Sequence, residues 1–123
     1  MLLFIPVPER LVFKFQIVLM AFPIPVIVGV EVAASAMLMA VIFLVVYTKG
    51  LKRFGGIAIG GIVGLDIFFL AFISGASMNP ARSLAPALVS GVLNNLWLYS
   101  TATFIGTSIV ALMFRRVFIS NKP

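Results

Sequence analysis

The residues able to do chemistry in this chain are few. Its carboxylates are Glu9, Glu31 and Asp66, and it has neither histidine nor cysteine. Imidazole bases, thiol nucleophiles, disulfides and the usual zinc or iron–sulfur ligands are therefore excluded, and a hard-cation site would need acids drawn from most of the sequence. No enzyme, metal or cofactor is expected. The polar chemistry concentrates instead in SGASMNPARSLAPALVSG, residues 74–91. Asn79 is a favoured N-cap, and Pro80, with φ fixed and no N–H, suits the first helical position. An asparagine there caps its helix through the side-chain oxygen and leaves its amide NH2 for a hydrogen-bond acceptor such as a water oxygen. The helix N-terminus adds about half a positive charge, which opposes protons and cations. Arg82, one turn on, brings a permanent charge with a fork of fixed donors. Such a group of residues suits the passage of small neutral molecules, while a plain Asn-Pro turn and a headgroup-anchoring arginine are the bland alternatives.

The elements that hold these residues must lie in a membrane. Of 123 residues, 63% are hydrophobic and 10% charged, far from the balance of a water-soluble domain. The net charge of +6 does not indicate nucleic acid, because the basic residues sit at the ends of apolar runs and form no stripe. Three runs, at about 26–47, 54–73 and 96–114, approach the roughly 20 residues that cross hydrocarbon as a helix. A helix from Pro80 to Ser90 measures about 15 Å at 1.5 Å per residue, half a bilayer. A re-entrant half-helix of that kind is tolerated only against protein or a watery cavity, so it points to a pore. The predicted fold is an all-α membrane protein with three spans and one half-helix.

Lys49, Lys52 and Arg53 follow the first span, and Arg115, Arg116 and Lys122 follow the third. The positive-inside rule places both groups, and the tail 117–123, on the cytoplasmic side. Residues 1–25 are apolar but broken by Pro6, Pro8, Pro23 and Pro25 and by charges at 9, 10 and 14. They read as an outer-side loop or interfacial segment, with a signal peptide as the weaker alternative. Glu31 is a carboxylate within a span, which costs about 2.5 to 3.5 kcal/mol unless it is paired. Asp66 either supports the pore or fills a polar gap. Gly56, Gly60 and Gly64 recur every fourth residue and predict close helix packing without chemistry.

With Asn79-Pro80-Ala81 led by SGAS, followed by Arg82-Ser83 and opening a half-helix, the chain resembles the major intrinsic proteins, the aquaporin and glycerol-facilitator family, around the second of their two Asn-Pro-Ala loops. The resemblance runs over about Val30 to Arg116. It implies that Arg82 lines the narrowest point of a pore, with Ile67 and Ala76 completing three of its filter positions. Strict water channels usually have a histidine where Ile67 stands, so the filter looks wide and weakly polar, like those of nodulin-type and some archaeal members. Ser83 stands where dedicated glycerol facilitators usually have aspartate, and Tyr99-Ser100 and Ala102-Thr103 also depart from common water-channel residues. The resemblance further implies that Glu31 supports the re-entrant loop together with Ser35.

A complete member has six spans and two half-helices in inverted repeats, whereas this sequence shows three spans and one loop. It therefore looks like the second half alone. The expectation is half of a passive channel for water and other small uncharged solutes such as glycerol, excluding protons and ions, in a cell membrane. Its partners would be the lipid bilayer, the permeating solutes and a first-half chain or segment, with a homotetramer once the pore is complete. Ranked behind a fragment are a split channel and a dual-topology homodimer. The alternative is a non-conducting fragment or small membrane subunit that binds full-length channels through the glycine face.

Overall fold

The computed structural model describes residues 22–119 except 92, 94 and 95. The outer-side segment over 1–21 and the tail beyond 119 lie outside the described residues. Four α-helices follow in chain order: α1 over Ile24–Tyr47, α2 over Gly55–Ser74, α3 over Pro80–Ser90 and α4 over Leu96–Phe114. A 3-10 turn at Lys52–Phe54 leads into α2, and a π-helical turn at Arg115–Ile119 extends α4. Helix α1 starts two residues before the expected boundary at 26. Pro23 is its cap and Pro25 lies in its first turn, where a missing N–H costs no helical bond.

Three of these segments, Ile24–Tyr47, Lys52–Ser74 and Leu96–Phe118, are long and apolar enough to cross a membrane. The half-helix α3, at 11 residues, is not. Its bounds follow from local chemistry. Asn79 caps the start, and Gly91, with φ of 73°, takes the left-handed conformation that ends it.

The distribution of side chains is that of a protein in hydrocarbon. Glu31, Ser35, Asp66, Ser74, Ser77, Ser83 and Thr103 are buried, whereas Ile57, Phe68, Phe72, Val89 and Phe104 are among the most exposed residues. In a bilayer the polar groups must find partners inside the protein and apolar side chains can face the solvent. The hydroxyls of α4 follow the same logic: Ser100, Thr101, Thr103 and Thr107 each donate to a carbonyl of the preceding turn. The chain is an integral membrane protein of all-α type, with three span-length helices and one half-helix among the described residues.

Helix α1 packs against both α2 and α4, and α3 rests on α4. One apolar cluster joins Ile27 of α1 to Leu98 and Tyr99 of α4. A second joins Ala34 of α1 to Ala76 and Met78 of the segment before α3, under Leu38, Val63, Leu70 and Ala71. The close approach between helices is at Gly106, where a Cβ would collide with the Val32 carbonyl oxygen and stand 3.0 Å from Ser35 Cβ. Gly56, Gly60 and Gly64, expected to make that approach, are exposed, with nothing within 4 Å of an added Cβ. The small face of α2 is open because α1 packs on the other side of the helix. At the end of the bundle where α1 and α4 finish, Phe43 stacks on Phe114 and Phe114 on Phe118, with centroids 4.6 Å apart in each pair.

Candidate functional site

The site is built around a carboxylate. Glu31 is fully buried, and both of its oxygens accept hydrogen bonds from the segment between α2 and α3. Its Oε1 takes the Ser74 hydroxyl at 2.7 Å and the Ser77 N–H at 2.9 Å, and its Oε2 takes the Met78 N–H at 3.0 Å. Glu31, expected to support the re-entrant loop, is thus placed against the segment between α2 and α3.

The loop it holds would not keep its shape unaided. Gly75 ends α2 with φ of 86°, and Ala76 and Met78 have φ of 45° and 51°. An L-residue in the left-handed region costs of order 1–2 kcal/mol, so two of them require compensation. The left-handed turns aim successive N–H groups at one point, and a carboxylate there satisfies them, an anion nest with a fixed occupant. Ser74 closes the arrangement: its hydroxyl accepts the Ala76 N–H at 3.2 Å, and its carbonyl accepts the Tyr99 hydroxyl from α4 at 2.9 Å. The segment is thus tied to α1 through Glu31 and to α4 through Tyr99.

Beyond the nest the chain turns into α3. Asn79 is extended, with φ of −151°, and its Oδ1 accepts the Ala81 N–H at 2.9 Å. Pro80 occupies the first helical position, as expected. Asn79 and Ala81 are exposed, and the Asn79 side-chain NH2 makes no hydrogen bond among the described residues. The Asn79 carbonyl accepts two donors, the Arg82 N–H at 3.1 Å and the Ser77 hydroxyl at 3.0 Å. Ser77 Oγ lies 2.6 Å from Ser83 Oγ, both groups being buried. Arg82 itself is exposed.

The remaining expected site residues divide. Ile67 is 39% exposed on α2, open enough to face a lumen. The Ala76 side chain is fully buried in the cluster with Ala34 and Met78, at a left-handed position of the backbone. Ser35 is also buried, but its Oγ has no hydrogen-bond partner among the described residues, so Ser74 supplies the hydroxyl expected of Ser35. One turn from Glu31 along α1, Ser35 stands beside Gly106 instead. Asp66 is 3% exposed, and its Oδ2 is likewise without a partner. Ser74, Ser77, Tyr99 and Gly106 were not singled out as site residues from sequence. Tyr99 carried a signal, since a phenol inside a span needs a partner for its O–H.

Among the described residues no group of three or more His, Cys, Asp or Glu side chains could hold a metal ion. What the arrangement offers is a rigid half-helix N-terminus with an uncommitted amide and an exposed guanidinium one turn apart.

The profile of the family described as "Major intrinsic protein" matches residues 18–114. Among curated relatives, the chain is 52% identical over 77 residues to aquaporin NIP3-1 of Arabidopsis thaliana, covering 62% of this chain and 24% of that protein. It is 45% identical over 94 residues to aquaporin NIP4-1 of Oryza sativa subsp. japonica, covering 75% and 32%. It is 38% identical over 96 residues to a probable aquaporin NIP-type of Nicotiana alata, covering 77% and 36%. The matched part is thus about a quarter to a third of each relative. No solved structure matches the chain significantly.

Proposed function

The chain belongs to the major intrinsic protein family, and from that premise we propose that it forms one half of a passive transmembrane channel for water and other small uncharged solutes. The observation that carries the reading is Asn79, which spends its Oδ1 on the Ala81 N–H and keeps its NH2 uncommitted at an exposed position. Only an acceptor can use that group. A water or polyol oxygen that does so meets the positive end of α3, and the same partial charge, reinforced by Arg82, repels cations and protons. The loop that leads into the half-helix keeps its shape as a solute passes, because three hydrogen bonds bind it to Glu31.

Ile67 offers a passing molecule no hydrogen bond. A wall of this kind favours solutes somewhat larger and less polar than water. The other half of the wall comes from a first-half segment or chain that brings the second half-helix to the midplane. The ends carrying Lys49, Lys52, Arg53, Arg115 and Arg116 face the cytoplasm of a cell membrane, and completed pores assemble as homotetramers. A second reading, a non-conducting subunit that joins complete channels, draws on the open glycine face of α2.

Arg82→Ala and Asn79→Asp separate the two. In vesicles where this chain is combined with a first-half chain, a pore wall loses discrimination against cations in either variant. If both variants leave water flux and ion exclusion as in the parent, the subunit reading stands.

A further inference from the structure

We propose that Ser83 and Ser77 form a hydroxyl clamp that positions Asn79 and Arg82, making both serines positioning residues for selectivity; this rests on the channel reading above. The clamp follows from counting protons. The Asn79 carbonyl is the acceptor for Ser77 Oγ at 3.0 Å, which uses the single proton of Ser77. The 2.6 Å contact between Ser77 Oγ and Ser83 Oγ must then be donated by Ser83. The chain of donation runs from the Ser83 hydroxyl to the Ser77 hydroxyl to the Asn79 carbonyl, and the Arg82 N–H donates to that same carbonyl at 3.1 Å.

These bonds bracket the five residues between the two serines, Met78, Asn79, Pro80, Ala81 and Arg82. Ser77 stands before the bracket in the nest, where its own N–H is held by Glu31, and Ser83 stands after it on α3. Both serines are buried while Asn79 and Arg82 are exposed. Neither serine therefore needs to meet a solute: the clamp fixes the Asn79 peptide plane from behind, and the plane fixes the aim of both exposed side chains. The hydrogen bonds of Glu31 hold the nest and reach no further along the chain than Met78, so without the clamp the half-helix could rock about Asn79. In water such a pair would exchange with solvent, but buried it has no competing partner.

The test compares Ser83→Ala, Ser77→Ala and the hydroxyl-retaining Ser83→Thr in the full chain, reconstituted in lipid. Amide hydrogen exchange is read at Ala81 and Arg82, whose N–H groups report the cap, and at Leu98 in α4 as a reference. The clamp predicts exchange at Ala81 and Arg82 about fivefold to tenfold faster in Ser83→Ala, which loses one buried neutral hydrogen bond, and at least as fast in Ser77→Ala, which loses two. Leu98 should be unchanged and Ser83→Thr close to the parent. Unchanged exchange at Ala81 and Arg82, or an equal rise at Leu98, overturns the clamp. Permeability with a first-half chain added separates it from the channel reading: a shifted glycerol-to-water ratio supports the clamp, and a conducting alanine variant with an unshifted ratio overturns its role in selectivity. A parent that passes no water refutes the channel reading, while the exchange result still decides the clamp.

Discussion

Glu31→Gln is the most informative single change, because it keeps the shape of the side chain and alters only its bonding. The carboxylate accepts three buried donors, two on Oε1 and one on Oε2. A glutamine can retain its oxygen toward the Ser74 hydroxyl and the Ser77 N–H, but its NH2 then faces the Met78 N–H, donor against donor. One buried N–H is left without a partner, at about 1–3 kcal/mol, and the two surviving bonds lose their charge assistance. Burying an amide is easier than burying a carboxylate, which offsets part of this. A net weakening of about 1.5–3 kcal/mol in the nest corresponds to a rise of roughly 10- to 100-fold in local opening. Site-resolved hydrogen exchange in lipid would show it at Met78 first and at Ser77 less. The left-handed turns at Ala76 and Met78 would relax with it, since these bonds supply much of what offsets their strain. Exchange at Met78 as slow as in the parent would refute the claim that the carboxylate, and not general packing, maintains the loop.

Three further outcomes are expected. Gly106→Val should force α1 and α4 apart at Val32, lowering the thermal midpoint in detergent, and its cost, about 1–3 kcal/mol or more, should exceed that of Gly60→Val on the open face of α2. Tyr99→Phe removes the hydroxyl that holds the Ser74 carbonyl and should cost about 1 kcal/mol in a denaturation series, with the apolar cluster around Ile27 intact. Asn79→Ala removes the cap on α3 and should weaken the half-helix by about 1 kcal/mol, seen as faster exchange at Ala81, with little change in the exchange of α1.

The spans and the half-helix were legible because each is set by local physics. Hydrocarbon thickness fixes the length of α1, α2 and α4, and Asn79-Pro80 with Ser90-Gly91 fixes both ends of α3. Glu31 was legible as a supporting group because a carboxylate in a membrane must be satisfied, but its partners were not. Which of Ser35 and Ser74 reaches it depends on how α1 sits against α2, and no spacing within one helix carries that information. The burial of Ala76 was not legible for a similar reason: its methyl points where a left-handed backbone sends it, and the sequence offers alanine there without the glycine that would advertise such a turn. The glycines show the converse. Three at regular spacing stand on a face that this chain leaves open, while Gly106 makes the closest approach, since a glycine's importance lies in what stands opposite it.

The most direct test of the central claim is osmotic water permeability by stopped-flow light scattering, on vesicles holding this chain together with a first-half chain, against each chain alone and against empty vesicles. Half of a passive pore predicts permeability well above the empty-vesicle rate only when both are present, with no accompanying proton flux. Permeability at the empty-vesicle rate despite stable association of the two chains would contradict it.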